Sequence, residues 1–430
     1  MLDYFFADWI LPVDRPPIEQ GFVAVEAGQI VVVGAISELP ESQRPTRDTQ
    51  IGTTLLCPGF VNAHTHLELS FNNQISTTVE PEAQPATAMG DWLLAVVNKT
   101  REAATPKEKL SRCRIGVAEM MRSGTTCIND ITSDGGSVVA MAEAGIRGLA
   151  SLEFFHPAFA VNYDRIGQVV KDYDNLMILC APHPLIQAGL SPHSPYNVSP
   201  NAWQAVVESC HPTWIHTHLA ESLDEAWWVT GKPDTGIHRL HQALLGKPYT
   251  PASPGRTPVD YLAEHQLLQH HMIAAHGVYC DPADILTLSQ HGVRIAHCPR
   301  SNQWLQQSTI DWLEWEAYPH PVGLGTDSRL STADLDMRTE ARAAMAVHGW
   351  KAEKALQKIT LDGAQVMGLE DQIGTLSTGK AADMVLWSSS QKIEPGNISA
   401  QFLDPKTGFV VKDAWVTGEA LTLTKQHAKI

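Results

Sequence analysis

The chain has 430 residues, 43% hydrophobic and 18% charged, a composition that suits a globular fold and a length that fits one (β/α)8 barrel plus a small companion. Lys and Arg number 31 against 47 Asp and Glu, a net charge of −16, which argues against a nucleic-acid backbone or an anionic membrane as the main partner. The seven cysteines are scattered, odd in number and without CxxC spacing, so the expectation is no disulfide framework and a reducing compartment.

The chain opens on MLDYFFADWILPVDRPP, which is apolar but lacks a basic start, carries acidic residues and has no small-residue cleavage site. It is not expected to be a signal peptide, and no segment reaches the apolar length of a membrane helix, so the expected location is cytoplasmic. Residues 1–57 read as short strands: Phe22–Val25 and Gln29–Val33 flank Glu26-Ala27-Gly28, a hairpin signal. The far end repeats that character in Asp383–Trp387, Phe409–Lys412 and Ala414–Thr417. Neither piece can hold a good core alone, so residues 1–57 and 366–430 are expected to pair in one small β-sandwich domain. The barrel over residues 58–365 is then inserted between them.

Within 58–365, apolar runs alternate with helical stretches such as Lys107–Ser123 and Pro282–His291, the mark of an α/β fold with a parallel barrel. The eight strands are predicted to end near His66, Asp130, Glu153, His193, His218, His276, Asn302 and Asp327. Residues 69–92 and 223–258 exceed ordinary connections, and loops of that length are usually lids or interface segments.

Chemistry collects at the strand ends. Near residue 60 an apolar run closes on His64-Thr65-His66, and in a strand residues i and i+2 share a face, so both imidazoles can reach one ion. Alone, such a pair is more often an ordinary partly exposed one. Three further endings change the odds: His216-Thr217-His218-Leu219-Ala220-Glu221, His276 after Met272–Ala275, and Asp327 after Pro321–Thr326. In a TIM barrel these ends meet at the catalytic face. Three imidazoles and a carboxylate, His64, His66, one of His216 and His218, and Asp327, would leave an open position on a divalent metal; Zn²⁺ suits the set and Fe²⁺ is compatible with it. By period alone His216 and His218 are equivalent.

The segments PGFVNAHTHLELS (58–70), SGTTCIND (123–130), SPHSPY (191–196), HTHLAES (216–222), AAHGV (274–278), HCPRSN (297–302), GLGTDS (323–328) and IGTLSTGKAADMVLW (373–387) resemble the amidohydrolase superfamily. The similarity is to its branch of cytosine, guanine and S-adenosylhomocysteine deaminases and triazine chlorohydrolases, and it runs over nearly the whole chain. The resemblance implies the barrel-plus-β-domain arrangement and selects His218 of HLAE as the ligand, with His216 a deeper supporting histidine. A second ion would call for a lysine on strand four, and Leu185–Ser191 has none, so the site is expected to be mononuclear.

The implied reaction is hydrolytic deamination of a ring amidine in a purine base or adenosine-type nucleoside by a metal-activated hydroxide. HTHLELS with HCPRSN looks most like aminodeoxyfutalosine deaminases. The alternatives are dechlorination or cyclic-amide opening on the same site, and a metal-free binding protein, which the intact constellation argues against. Glu221 is expected to carry the proton from water to a ring nitrogen, His276 to orient the nucleophile, and Asp327 to pass a proton to the leaving group. His193 is expected to hydrogen-bond the substrate. Glu68 either binds a ribose hydroxyl or caps the next segment, Asn302 contacts substrate or braces its loop, and Trp92 and Glu153 are pocket walls or structural. His156, His183, His211, His265, His270, His271, His291 and His297 read as scaffold or surface. The expected partner is a small-molecule substrate, and the resemblance implies a homodimer.

Overall fold

The computed structural model describes residues 2–45, 52–70, 89–101, 105–158, 161–251, 254–305 and 309–422. Four strands come first: β1 (Asp3–Ile10), β2 (Ile18–Glu26), β3 (Gln29–Ala35) and β4 (Thr53–Pro58). Eight more follow: β5 (Phe60–Thr65), β6 (Thr125–Thr132), β7 (Arg147–Phe154), β8 (Ile186–Pro192), β9 (Ile215–Leu219), β10 (Met272–His276), β11 (Arg294–His297) and β12 (Val322–Leu324). Three close the chain: β13 (Met384–Ser389), β14 (Val410–Val416) and β15 (Glu419–Ala420).

Strands β5 to β12 form one sheet in sequential order, parallel throughout. Its strands are buried on both faces, and β5 and β6 have no exposed residue, as a barrel covered by helices requires. The seam between β12 and β5 is closed by little. The Thr65–Asp327 bridge joins them, Asp327 N–H donates to His64 O (3.0 Å), and the Asn62 amide pairs with Thr326. Gly325 permits this approach, since a Cβ there would stand 2.8 Å from the His64 backbone nitrogen.

The other strands form a single mixed sheet in the order β15-β14-β13-β4-β1-β2-β3, so both ends of the chain build it together. Alternation along β1 and β2 buries Ala7, Val23 and Val25 on one face against Leu376 and Met384. It turns Phe22 and Ala24 to the other face, against Leu39.

The predicted helices form at Pro106–Arg122 and Pro282–Gln290, each opened by a capping box with proline in its first turn. Two expectations need correcting. Strand seven stops at His297 rather than Asn302, because Pro299 opens a short helix, Pro299–Trp304. Residues 223–258 are not a loop: they carry helices Leu223–Val229 and Gly236–Leu245, capped by the Ser222 and Thr235 hydroxyls, and lead into Pro258–Glu264. Of the other long connection, residues 71–88 lie outside the described residues, and helix Met89–Arg101 follows. No described helix is long and apolar enough to cross a membrane.

One ion pair locks the mixed sheet to the barrel. Arg147, opening β7, meets Asp383 at 2.9 and 3.2 Å, and Asp383 also accepts from Thr417 N–H; the two side chains are 7% and 1% exposed. Removing one member of such a pair strands a buried charge. Asp383→Ala should therefore cost about 3–5 kcal/mol of unfolding free energy, read from a urea titration. A loss below about 1 kcal/mol would mean that water reaches Arg147 and the junction is open.

Candidate active site

The strand ends bring the expected groups together. Ring nitrogens of His64, His66 and His218 lie within 4.8 Å of one another. Asp327 Oδ1 stands 3.6 Å from both His64 Nε2 and His66 Nε2. A second group of three within the same limit is Glu221, His276 and Asp327. His64, His218, Glu221, His276 and Asp327 are all buried.

Hydrogen bonds on the far sides of the rings decide which nitrogens face inward. His218 Nδ1 donates to His193 O (2.9 Å), which leaves its Nε2 bare. His64 Nδ1 stands 3.1 Å from Nε2 of His216, which is fully buried one layer deeper, and His64 Nε2 is a buried atom with no hydrogen-bond partner. His66 Nε2 and His218 Nε2 are 3.1 Å apart. Two neighbouring imidazole nitrogens on one ion of four or five ligands, each about 2.0–2.1 Å from it, would be about 2.9–3.6 Å apart. An orphaned inward nitrogen, this spacing and a facing carboxylate fit a divalent cation. Burial lowers the pKa of His64 to about 4 and keeps His66 well below its usual value, so both imidazoles are neutral and able to ligate at neutral pH.

Asp327 is aimed by residues that sequence reading missed. Its Oδ2 accepts from Ser301 Oγ (2.6 Å) and Ser331 Oγ (3.0 Å), which turns Oδ1 toward the histidines. Burial alone would raise this carboxyl, but the close approach of the His64, His276 and His66 rings holds it well below the usual range. Glu221 is fixed through its backbone, whose N–H donates to Glu225 Oε2 (2.9 Å). The Ser222-x-x-Glu225 spacing was the available signal, since it matches a helix-capping pattern. Burial pushes the Glu221 carboxyl up to about 8. Its Oε1 lies 3.5 Å from His276 Nε2, the second orphaned nitrogen of the site. Ala220, His276 and Asp327 all have positive φ (52, 77 and 56°), a strain of about 1–3 kcal/mol each that collects where geometry serves function.

The group opens into a cavity of about 520 Å³. His66, His218, Glu221 and Asp327 line its inner end. Helices Met89–Arg101 and Gly236–Leu245 form an apolar outer wall with Trp92, Val96, Leu240 and Leu244. These helices touch at Gly90 and Gly236, where a Cβ on Gly90 would stand 2.2 Å from the Gly236 carbonyl carbon. Asp224 receives the N–H groups of both glycines, at 3.0 and 2.8 Å.

The remaining expected contacts divide. His193 faces the cavity, with Nδ1 2.8 Å from Ser194 Oγ. Trp92 and Glu153 line it too; burial and the nearby Glu68 charge raise Glu153 to about 8. Glu68 is at the wall and, among the described residues, accepts from Ser133 N–H (2.5 Å) and from the hydroxyls of Ser133 and Thr132 at the end of β6, rather than from the segment that follows it. Asn302 is a correction. It sits behind His276, not on the cavity, because the helix that replaces the end of strand seven carries it outward; its Oδ1 lies 2.9 Å from His276 Nδ1.

A sequence profile described as the amidohydrolase family matches residues 55–421. A 5-methylthioadenosine/S-adenosylhomocysteine deaminase of Desulfitobacterium hafniense (strain DSM 10664 / DCB-2) is 29% identical over 394 residues, 87% of this chain and 82% of that protein. Helicobacter pylori aminofutalosine deaminase, solved with methylthio-coformycin, superposes with a TM-score of 0.81 at 20% identity, covering 97% of this chain and 100% of that one. An adenosine deaminase of Xanthomonas campestris with bound zinc gives a TM-score of 0.70 at 23% identity, covering 97% and 92%.

Proposed function

The chain belongs to the amidohydrolase family, and from that premise we propose that it is a metal-dependent aminohydrolase acting on the adenine ring of a nucleoside extended at its 5′ position. The observation that carries this reading is the convergence of His64, His66, His218 and Asp327 beside the Glu221–His276 pair. In this reading the first four hold one divalent cation, and the zinc of the Xanthomonas relative favours zinc. Such a cation supplies a nucleophile at neutral pH by lowering the pKa of a water it holds to about 7.

The chain's own groups handle the protons. Glu221 takes one from the attacking water and delivers it to a ring nitrogen, a task suited to a carboxyl whose pKa lies near neutrality. His276, with Nε2 unpartnered and turned inward, holds the attacking oxygen in line. Asp327 passes the second proton to the departing amine, so that C–NH2 and water become C=O and ammonia.

The cavity supports the substrate class. Its volume suits a ligand larger than a purine base. Its apolar outer wall suits the uncharged 5′ substituent found in methylthioadenosine, one of the two compounds in the printed name of the Desulfitobacterium relative. Ammonia release by zinc-loaded protein should give a higher kcat/KM for methylthioadenosine than for adenine. Leu240→Ser should lower kcat/KM for methylthioadenosine about tenfold and leave adenine unchanged. Equal losses on both would remove this wall from substrate choice, and no ammonia from any adenine, guanine or cytosine compound would end the deaminase reading.

A further inference from the structure

Behind His276 a line of polar groups runs through the barrel wall to the outer helices. His276 Nδ1 lies 2.9 Å from Asn302 Oδ1, Asn302 Nδ2 3.5 Å from His297 Nδ1, and His297 Nε2 3.0 Å from His348 Nε2. His276, Asn302 and His297 are buried. His348 is half-buried in the last turn of helix Met337–His348, its ring against Trp350 and Trp312.

The tautomers along the line are linked, so that setting one sets the others. A neutral imidazole offers one N–H and one lone pair, and an amide offers one accepting and one donating end. With Asn302 Oδ1 toward His276, the proton of His276 sits on Nδ1 and its Nε2 is bare. Asn302 Nδ2 then donates to His297 Nδ1, so His297 carries its proton on Nε2 and donates to His348 Nε2. Reversing the last bond moves the proton of His297 from Nε2 to Nδ1, turns the amide over, and moves the proton of His276 to Nε2. Burial keeps the rings neutral, as the argument requires: it lowers His348 to about 4 and holds His297 well below its usual value.

We propose that His348, acting through His297 and Asn302, is a positioning residue that holds His276 in the tautomer with a bare Nε2 facing Glu221. The inference rests on the reading of His276 as a group at the reacting centre. A bare Nε2 accepts a hydrogen bond from an attacking water, whereas Nε2–H would point a donor at it.

The test uses zinc-loaded protein with nitrogen-15 in its histidines, reading the His276 Nε2 shift beside kcat, KM and metal content. His348→Phe removes the acceptor and keeps a ring. The His276 Nε2 resonance should move toward the protonated position and kcat should fall about tenfold, with KM and metal content unchanged. His348→Leu provides the same test at smaller volume if the phenylalanine disturbs folding. His348→Gln returns an acceptor to His297 and should restore both the shift and kcat. An unmoved Nε2 shift in the phenylalanine and leucine variants overturns the proposal, and so does a glutamine variant as impaired as they are. A wild-type protein that deaminates nothing, with His348 variants that still show the shift change, would sink the proposed activity and leave the relay standing.

Discussion

His218→Ala should leave a folded barrel that neither retains a metal nor turns over substrate. In the proposed site three imidazoles and one carboxylate hold the ion and leave one position open, and losing a nitrogen from that set removes both affinity and geometry. The fold should persist because the strands of the barrel are held by their ladders and by a buried apolar core on both sides. Metal analysis should fall from about one ion per chain to a small fraction, with far-UV circular dichroism unchanged. His64→Ala and His66→Ala should behave alike. The informative contrast is His216, which is as buried as His64 and stands 3.1 Å behind it. His216→Ala should weaken metal binding only through the aim of the His64 ring, about 10–100-fold in affinity. A stoichiometric, fully active His218→Ala protein would instead transfer the ligand role to His216.

Glu221→Gln should separate proton transfer from metal binding. The amide keeps the size of the side chain and some hydrogen bonding beside His276, but it cannot ferry a proton. Metal content should stay normal while kcat falls by about 10²–10⁴, the scale of a lost acid–base group. The backbone clamp from Glu225 does not involve the Glu221 carboxyl, so the substitution should leave the local chain in place. Loss of the ion in this variant would make Glu221 a ligand; a kcat within about threefold of wild type would assign the proton to another group, with Glu153 the next candidate on the cavity wall.

What the sequence made legible is what period and strand order control. His64 and His66 two apart at one strand end, the His216–His218 pair and the aspartate after β12 are each fixed by where a buried run stops, and those stops meet at one end of a parallel barrel, while the choice of His218 over His216 came from the family resemblance. Less legible was whatever depends on how the chain leaves a strand. HCPRSN reads as one extended run, yet Pro299 starts a helix that carries Asn302 behind His276 and Ser301 beneath Asp327. The stretch 223–258, with Gly and Pro throughout its second half, reads as loop, yet two capped helices form there and one of them faces residues near position 93, almost 150 positions away in sequence. Such partners follow from tertiary packing, and no local pattern encodes them.

The lightly bonded seam of the barrel has a consequence for how the molecule opens. Strand β12 has three residues, and the chain there meets β5 through one bridge, the Thr65 hydroxyl on Asp327 O and the Asn62 side chain standing in for a ladder. His64 and His66 lie on one bank of that seam and Asp327 on the other. A cation shared among them would act as a clasp across a lightly bonded join of the cylinder, so that closing the ring and completing the catalytic centre would become a single event. Breathing of the barrel would then begin where the chemistry is, and occupancy of the centre would set how often the ring parts.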